Sequence, residues 1–150
     1  MSAERLELAE KLSRFAHAGQ VDKGGNPYYL HPLAVSEKLR SEDDKIVGLL
    51  HDVLEDTEVK ESTIRDLFGD TVADAVVSLT HREGEAYEDY VERASRNEIA
   101  RRVKRADVEN NMDLSRISIP GEKDIMRLDK YKKALQILDR ADSTMKDEVI

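Results

Sequence analysis

The stretch His51-Asp52-Val53-Leu54-Glu55-Asp56 constrains this chain more than any other. It packs a histidine and three carboxylates into six residues, directly after the apolar run Ile46-Val47-Gly48-Leu49-Leu50, which reads as a buried helix. On a helix His51 and Glu55 share a face, as do Asp52 and Asp56. His51 and Asp52 are about 100° apart around the axis and can reach one ion from two directions. Three acids beside buried leucines repel one another and lose hydration. A bound cation relieves both costs; a solvated acidic helix end is the plainer reading.

The rest of the chain reads as helices. Ser2 to Ala18 is amphipathic, with Leu8, Leu12 and Phe15 on one stripe and His17 at its end as a cap or packing residue. Gln20 to Leu30 is a loop built on Gly24-Gly25-Asn26-Pro27, with Lys23 as its only cation. His31-Pro32 then opens a helix through Leu33, Val35 and Leu39, with His31 just before it on backbone that the proline constrains. Further helices are predicted over Asp44–Leu54, Glu61–Phe68, Thr71–Leu79, around Tyr87–Ala94, Ala100–Leu114 and Asp124–Leu138. The last carries Ile125, Leu128, Tyr131, Leu135 and Leu138 as its apolar stripe, and Pro120-Gly121 separates it from the helix before. No segment alternates with a period of two. The expected fold is all-α, a single helical domain over 1–150 with a core at about 3–140 and a frayed tail from Asp142.

Composition excludes several classes of function. There is no cysteine, so disulfides, thiolate zinc sites and thiol nucleophiles are out. The formal net charge of −8 argues against a nucleic-acid binder. No apolar run approaches the roughly 20 residues that span a bilayer. The first residues are charged and helical in pattern, unlike a signal peptide. The expectation is a cytoplasmic protein with a small-molecule partner.

A second constellation lies at Lys104 to Asp113, where Asp107 and Asn111 share a helical face and Asp107 borders the apolar Val103 and Ala106. An inward carboxylate needs a partner; an exposed helix with ordinary ion pairs is the plainer reading. Together His31, His51, Asp52 and Asp107 form a set of two histidines and two carboxylates, suited to manganese, iron, cobalt or zinc. Four protein ligands leave room for a water, which an ion acidifies into a nucleophile near neutral pH.

This ordered set resembles the HD-domain metal-dependent phosphohydrolases. Ala16-His17-Ala18-Gly19-Gln20, Pro27-Tyr28, His31-Pro32, His51 through Thr57, and Asp107 with Asn111 carry the likeness. Within that family the chain is similar to the Rel/SpoT alarmone hydrolase domain and to small stand-alone SpoT-like hydrolases. The resemblance implies a helical HD bundle with one Mn²⁺, or another divalent transition metal, on His31, His51, Asp52 and Asp107. It implies Glu55 and Asp56 as the residues that activate or orient the attacking water, and Lys23, Asn111 and Tyr131 as nucleotide-binding residues. The implied reaction is hydrolysis of the 3′-pyrophosphate of ppGpp or pppGpp. Asp22 and Ala18 stand where relatives usually carry cations. Their loss favours an alternative substrate, such as a 2′-, 3′- or 5′-phosphorylated or NADPH-like nucleotide. Arg82, Arg101 and Arg105 are candidate replacement cations. A non-catalytic nucleotide-binding module is the rival reading, against which the retained Glu55 and Asp56 speak.

Overall fold

Short helices broken by polar turns pack through small and apolar faces. The computed structural model describes residues 2–113 and 121–149; Leu114 and Pro120 lie outside the described residues. The helices are α1 (Ser2–Ala16), α2 (Leu30–Glu37), α3 (Glu42–Leu50), α4 (Val53–Asp56), α5 (Glu61–Phe68), α6 (Asp70–Ser78), α7 (Tyr87–Ser95), α8 (Glu98–Asn111) and α9 (Glu122–Val149). Among the described residues there is no sheet, only an isolated bridge between Val21 and Pro27 that closes the glycine-rich loop. The fold is all-α, as expected.

Two apolar clusters organise it. The larger joins α1 to α8 around Ile46, Leu49, Leu50, Ile64 and Val76. The smaller joins α7, α8 and α9 around Tyr90, Val91, Val108, Ala134, Ile137 and Leu138. α7 and α8 are common to both: Ala94, Val103 and Ala106 face the first, and Tyr90, Val91 and Val108 the second.

Several elements differ from the sequence reading in ways that matter for position. In α1, Phe15 is 82% exposed and Leu8 also faces solvent, while Ala9 and Ser13 are fully buried. The small residues face inward because α1 packs closely on α3. Arg5 fixes that rotation by reaching Glu42, Asp43 and the carbonyl of Phe68. In α9 the buried positions are Ala134, Ile137 and Leu138, and Ile125 is exposed. α9 also runs past Asp142, which Arg101 and Arg105 hold at 2.8 Å each.

The helix over His31 begins two residues earlier than the proline suggests, at Leu30. Pro32 falls within its first turn, where the missing N–H has no intrahelical partner to lose. The central helix divides. α3 ends at Leu50, His51 and Asp52 form a turn with Asp52 at φ −104° and ψ −2°, and α4 follows. Ser41 caps α3 by accepting the N–H of Asp44.

Gly48 permits the approach of α2 to α3. A Cβ there would come within 3.0 Å of Leu39 Cδ1 and 3.1 Å of the Ser36 Cα. The absent side chain lets the two helices meet closely, and their meeting sets His31 opposite His51.

Candidate metal centre and nucleotide cleft

His31 comes from the first turn of α2, His51 and Asp52 from the α3–α4 turn, and Asp107 from the third turn of α8. His31, His51 and Asp107 are buried, and Asp52 is half-buried. His31, His51 and Asp52 each offer a ligand atom within 4.8 Å of the others, so these three form a group able to hold a metal ion. Asp107 joins them through contacts: its Oδ1 lies 2.8 Å from His31 Nε2 and 3.4 Å from His51 Nε2. The rings of the two histidines are 5.4 Å apart, edge to face.

The remaining nitrogens orient both rings. His51 Nδ1 donates to the carbonyl of Gly48 at 2.6 Å, and His31 Nδ1 meets Asn110 Oδ1 at 2.7 Å. Both Nε2 atoms are thereby turned toward the cluster, as a metal-binding histidine requires. His51 Nε2 is buried without a hydrogen-bond partner, although Asp52 Oδ2 lies 3.2 Å away. An orphaned nitrogen facing two carboxylates fits a divalent cation.

The electrostatics agree. Burial disfavours a charged His51 ring, yet Asp52 and Asp107 outweigh it and hold the ring well above the ordinary histidine range. Burial also works against an ionised Asp107; Lys104 and the two histidines overcome it and hold the carboxyl well below its usual range. Burial opposes Asp52 in the same way, but His51 brings it down to about 2. Each charge in this cluster is maintained by an opposite one, and a divalent cation would take the place of the His51 proton among these carboxylates.

Neighbours fix the carboxylates. Tyr28 donates to Asp52 Oδ2 at 2.5 Å. Lys104 Nζ is buried, donates to Asp107 Oδ2 at 3.0 Å, and lies over the rings of Tyr87 and Tyr90. Asn111 Nδ2 donates to Asp107 Oδ1 at 3.1 Å. Sequence reasoning singled out neither Asn110 nor Lys104 for these roles. An acceptor three residues after Asp107, and a cation three residues before it, were the available signals.

Glu55 and Asp56 project from α4, apart from the cleft lining. Glu55 Oε1 accepts the backbone N–H of His81 at 2.5 Å. Burial raises the Glu55 carboxyl above its usual range, with Asp52 and Asp56 adding to the rise and the His81 N–H opposing it. Asp56 is raised by burial and by the charge of Asp52. The segment after α6 thus has a defined contact: it holds Glu55. Arg93 ties both ends of that segment, donating to the carbonyl of Thr80 and, through two nitrogens, to Glu85.

One side of the cluster opens into a cleft of about 390 Å³. His31, Asp52 and Asp107 form its floor, and Lys23, Asn111 and Tyr131 line its walls with Tyr28 and Arg127. All three residues expected to hold a nucleotide therefore face one space. The replacement cations proposed from sequence do not. Arg101 pairs with Asp142 and the carbonyl of Ser95, Arg105 pairs with Asp139 and Asp142, and Arg82 is exposed on the segment beside Glu55. The cation that sequence reasoning missed is Arg127, one helical turn before Tyr131.

Asp22 turns to the backbone of its own loop. Its Oδ1 accepts the N–H groups of Gly24 and Asn26 at 2.9 and 3.0 Å, which shapes the loop. Lys23 instead meets Asp124 Oδ1 of α9 at 3.0 Å.

Residues 6–112 match the family model of the HD domain. A guanosine-3′,5′-bis(diphosphate) 3′-pyrophosphohydrolase of Aquifex aeolicus is 38% identical over 82 residues, covering 52% of this chain and 12% of the relative. The bifunctional (p)ppGpp synthase/hydrolase SpoT of Escherichia coli is 34% identical over 98 residues, covering 63% of this chain and 14% of the relative. The chain thus spans a small fraction of the length of these relatives. A solved structure described as a metazoan ortholog of SpoT that hydrolyzes ppGpp superposes with a TM-score of 0.77 at 24% identity, covering 89% of this chain and 85% of that one. That likeness supports the all-helical fold. Among the described residues no helix is long and apolar enough to cross a membrane. The matched span contains His31, His51, Asp52 and Asp107 together, and the chain belongs to the HD-domain family.

Proposed function

We propose that this chain is a divalent-metal-dependent phosphohydrolase of phosphorylated nucleotides, acting as a guanosine-3′,5′-bis(diphosphate) 3′-pyrophosphohydrolase with Mn²⁺ as its metal. The observation that carries this reading is the meeting of His31, His51 and Asp52 under a cleft walled by Lys23, Asn111 and Tyr131. The names of the relatives supply the substrate class.

His31, His51, Asp52 and Asp107 would hold the ion, which when bound supplies Lewis acidity and lowers the pKa of water. Tyr28 and Lys104 keep the two carboxylates aimed at the same point. Glu55, with its raised carboxyl fixed by His81, is suited to take and return a proton, and Asp56 adds to the local negative field. Asn111, Tyr131 and Lys23 would hold the nucleotide so that the phosphorus next to the 3′ oxygen lies over the floor. Water adds to that phosphorus, the bond to the 3′ oxygen breaks, and GDP and pyrophosphate leave.

A second reading keeps the chemistry and changes the nucleotide. It draws on the aspartates that line the cleft, which disfavour a highly charged ligand. Incubating the purified protein with Mn²⁺ and separate samples of ppGpp, nucleoside monophosphates and NADPH distinguishes the two. Release of GDP and pyrophosphate from ppGpp is expected. Phosphate released from another member, with ppGpp intact, transfers the assignment to the second reading. No product from any of them, with metal bound, leaves a non-catalytic nucleotide-binding module.

A further inference from the structure

We propose that Asp124 is a specificity-determining carboxylate: it occupies the phosphate-facing ends of Lys23 and Arg127, and a ligand phosphate enters this part of the cleft only by displacing it. The inference builds on the nucleotide reading of the cleft.

The charges lining the cleft are unbalanced. Lys23 and Arg127 are the cations among its described lining residues, against Asp22, Asp52, Asp107, Asp113 and Asp124. The metal would answer Asp52 and Asp107. Both cations converge on the same atom, Asp124 Oδ1, at 3.0 Å from Lys23 and 3.4 Å from Arg127. The other oxygen, Oδ2, accepts the N–H of Gly121 at 2.9 Å, closing the first turn of α9 from behind. Asp124 is thus held at both oxygens, and its side chain is 13% exposed where that of Lys23 is 49% exposed.

The loop opposite offers no substitute. The N–H groups of Gly24 and Asn26 already donate to Asp22 Oδ1. An incoming phosphate must therefore compete with one carboxylate for the cations and with another for the loop amides. The penalty is local to this end of the cleft and does not touch the metal. It disfavours ligands with charge at the far end, ppGpp among them, by the cost of displacing Asp124. A ligand bearing phosphates at both ends must displace Asp124 to bind.

Asp124→Asn tests this, because the amide oxygen can still accept the Gly121 N–H while the charge is removed. Inorganic pyrophosphate and ppGpp are titrated by calorimetry into metal-free protein. The variant is expected to bind both about 2- to 5-fold more tightly than the wild type, the scale of one partly exposed charge contact. That gain should shrink as salt rises, and Lys23→Gln in the same background should remove it. Asp124→Ser, which also retains an acceptor, gives the same comparison if the first variant folds poorly. Equal or weaker binding by the folded variants, or no binding by any of them, overturns the inference. Hydrolysis by the Mn²⁺-loaded wild type is a separate readout. Its absence counts against the phosphohydrolase reading, while the pyrophosphate titration still decides whether Asp124 guards the cations.

Discussion

At the scale of single residues, a charged cluster around His51 and Asp52 was legible because a carboxylate buried beside a histidine demands a counter-charge. His31, His51, Asp52 and Asp107 do converge, each charge compensated by another. The supporting residues were less legible. Asn110 and Lys104 act through side-chain direction, and a sequence records spacing but not which neighbour a side chain meets. The partner of Lys23 was hidden in the same way, because Asp124 lies 101 residues away in sequence. Glu55 lies between these cases. Its type and position were readable, but its anchor, the N–H of His81, is 26 residues away. Glu55→Gln keeps an acceptor for that N–H and removes the titrating proton. The variant is expected to bind metal as the wild type does and to lose turnover by roughly 10²-fold or more. Metal analysis beside initial rates checks it. Unchanged turnover removes Glu55 from the chemistry, and lost metal makes it a ligand.

At the scale of elements, periodicity located the helices but not their rotation or their breaks. α1 turned away from the stripe of its largest apolar residues, since Ala9 and Ser13 allow a close approach that Leu8 and Phe15 do not. The break at His51–Asp52 was hidden, because nothing in the local composition forbids the helix from continuing. Gly48 was readable only as a helix-weakening residue, yet it sets the α2–α3 distance. Gly48→Ala places a methyl within 3.1 Å of the Ser36 backbone. A cost of about 1–3 kcal/mol is expected from overpacking. Metal affinity should fall with it, as His31 moves from His51. Thermal unfolding with a parallel metal titration checks this, and lost stability with full metal affinity would show that the histidines do not depend on this contact.

The segment after α6 makes an element-level prediction with a definite sign. Hydrogen bonds from Arg93 bring the Glu85 carboxyl down to about 2 from its usual 4.5, with the Arg82 N–H assisting. A carboxyl with a lower value in the folded state contributes stability above its unfolded value, and that contribution is lost as pH falls through the folded one. The window is therefore about pH 4.5 down to 2. Melting temperatures of the wild type and Glu85→Gln should differ at about pH 6, above that window, and converge as the pH falls through it. A gap that stays constant would mean that Arg93 holds the segment without help from the Glu85 charge.

At the scale of the whole molecule, the all-helical class followed from the missing two-residue alternation, but the division of labour between two apolar clusters did not. It depends on which helices meet. The metal residues sit on α2, the α3–α4 turn and the face of α8 that joins the larger cluster. Asp124, Arg127 and Tyr131 sit on α9, which packs on α7 and α8 through the smaller one. The larger cluster therefore supports the candidate metal group and the smaller one supports the α9 wall of the cleft, with α7 and α8 shared between them. Leu138 is fully buried in the smaller cluster. Leu138→Ala should cost about 2–5 kcal/mol of stability through lost burial and the cavity left behind. The candidate metal groups meet this cluster indirectly, through Lys104, which holds Asp107 and lies over Tyr87 and Tyr90, so metal affinity measured well below the melting temperature should stay within about 3-fold of the wild type, under about 1 kcal/mol. Saturating metal should raise the melting temperature of both proteins, by the equivalent of about 2.7 kcal/mol at a hundredfold excess over its dissociation constant. Nucleotide affinity should fall more than metal affinity, because the α9 residues that face the cleft lose their fixed register against α8. Titrating metal and ppGpp separately into wild type and variant gives both ratios. Equal losses in the two would show that α8 transmits the disturbance to Asp107, and that the two clusters act as one unit.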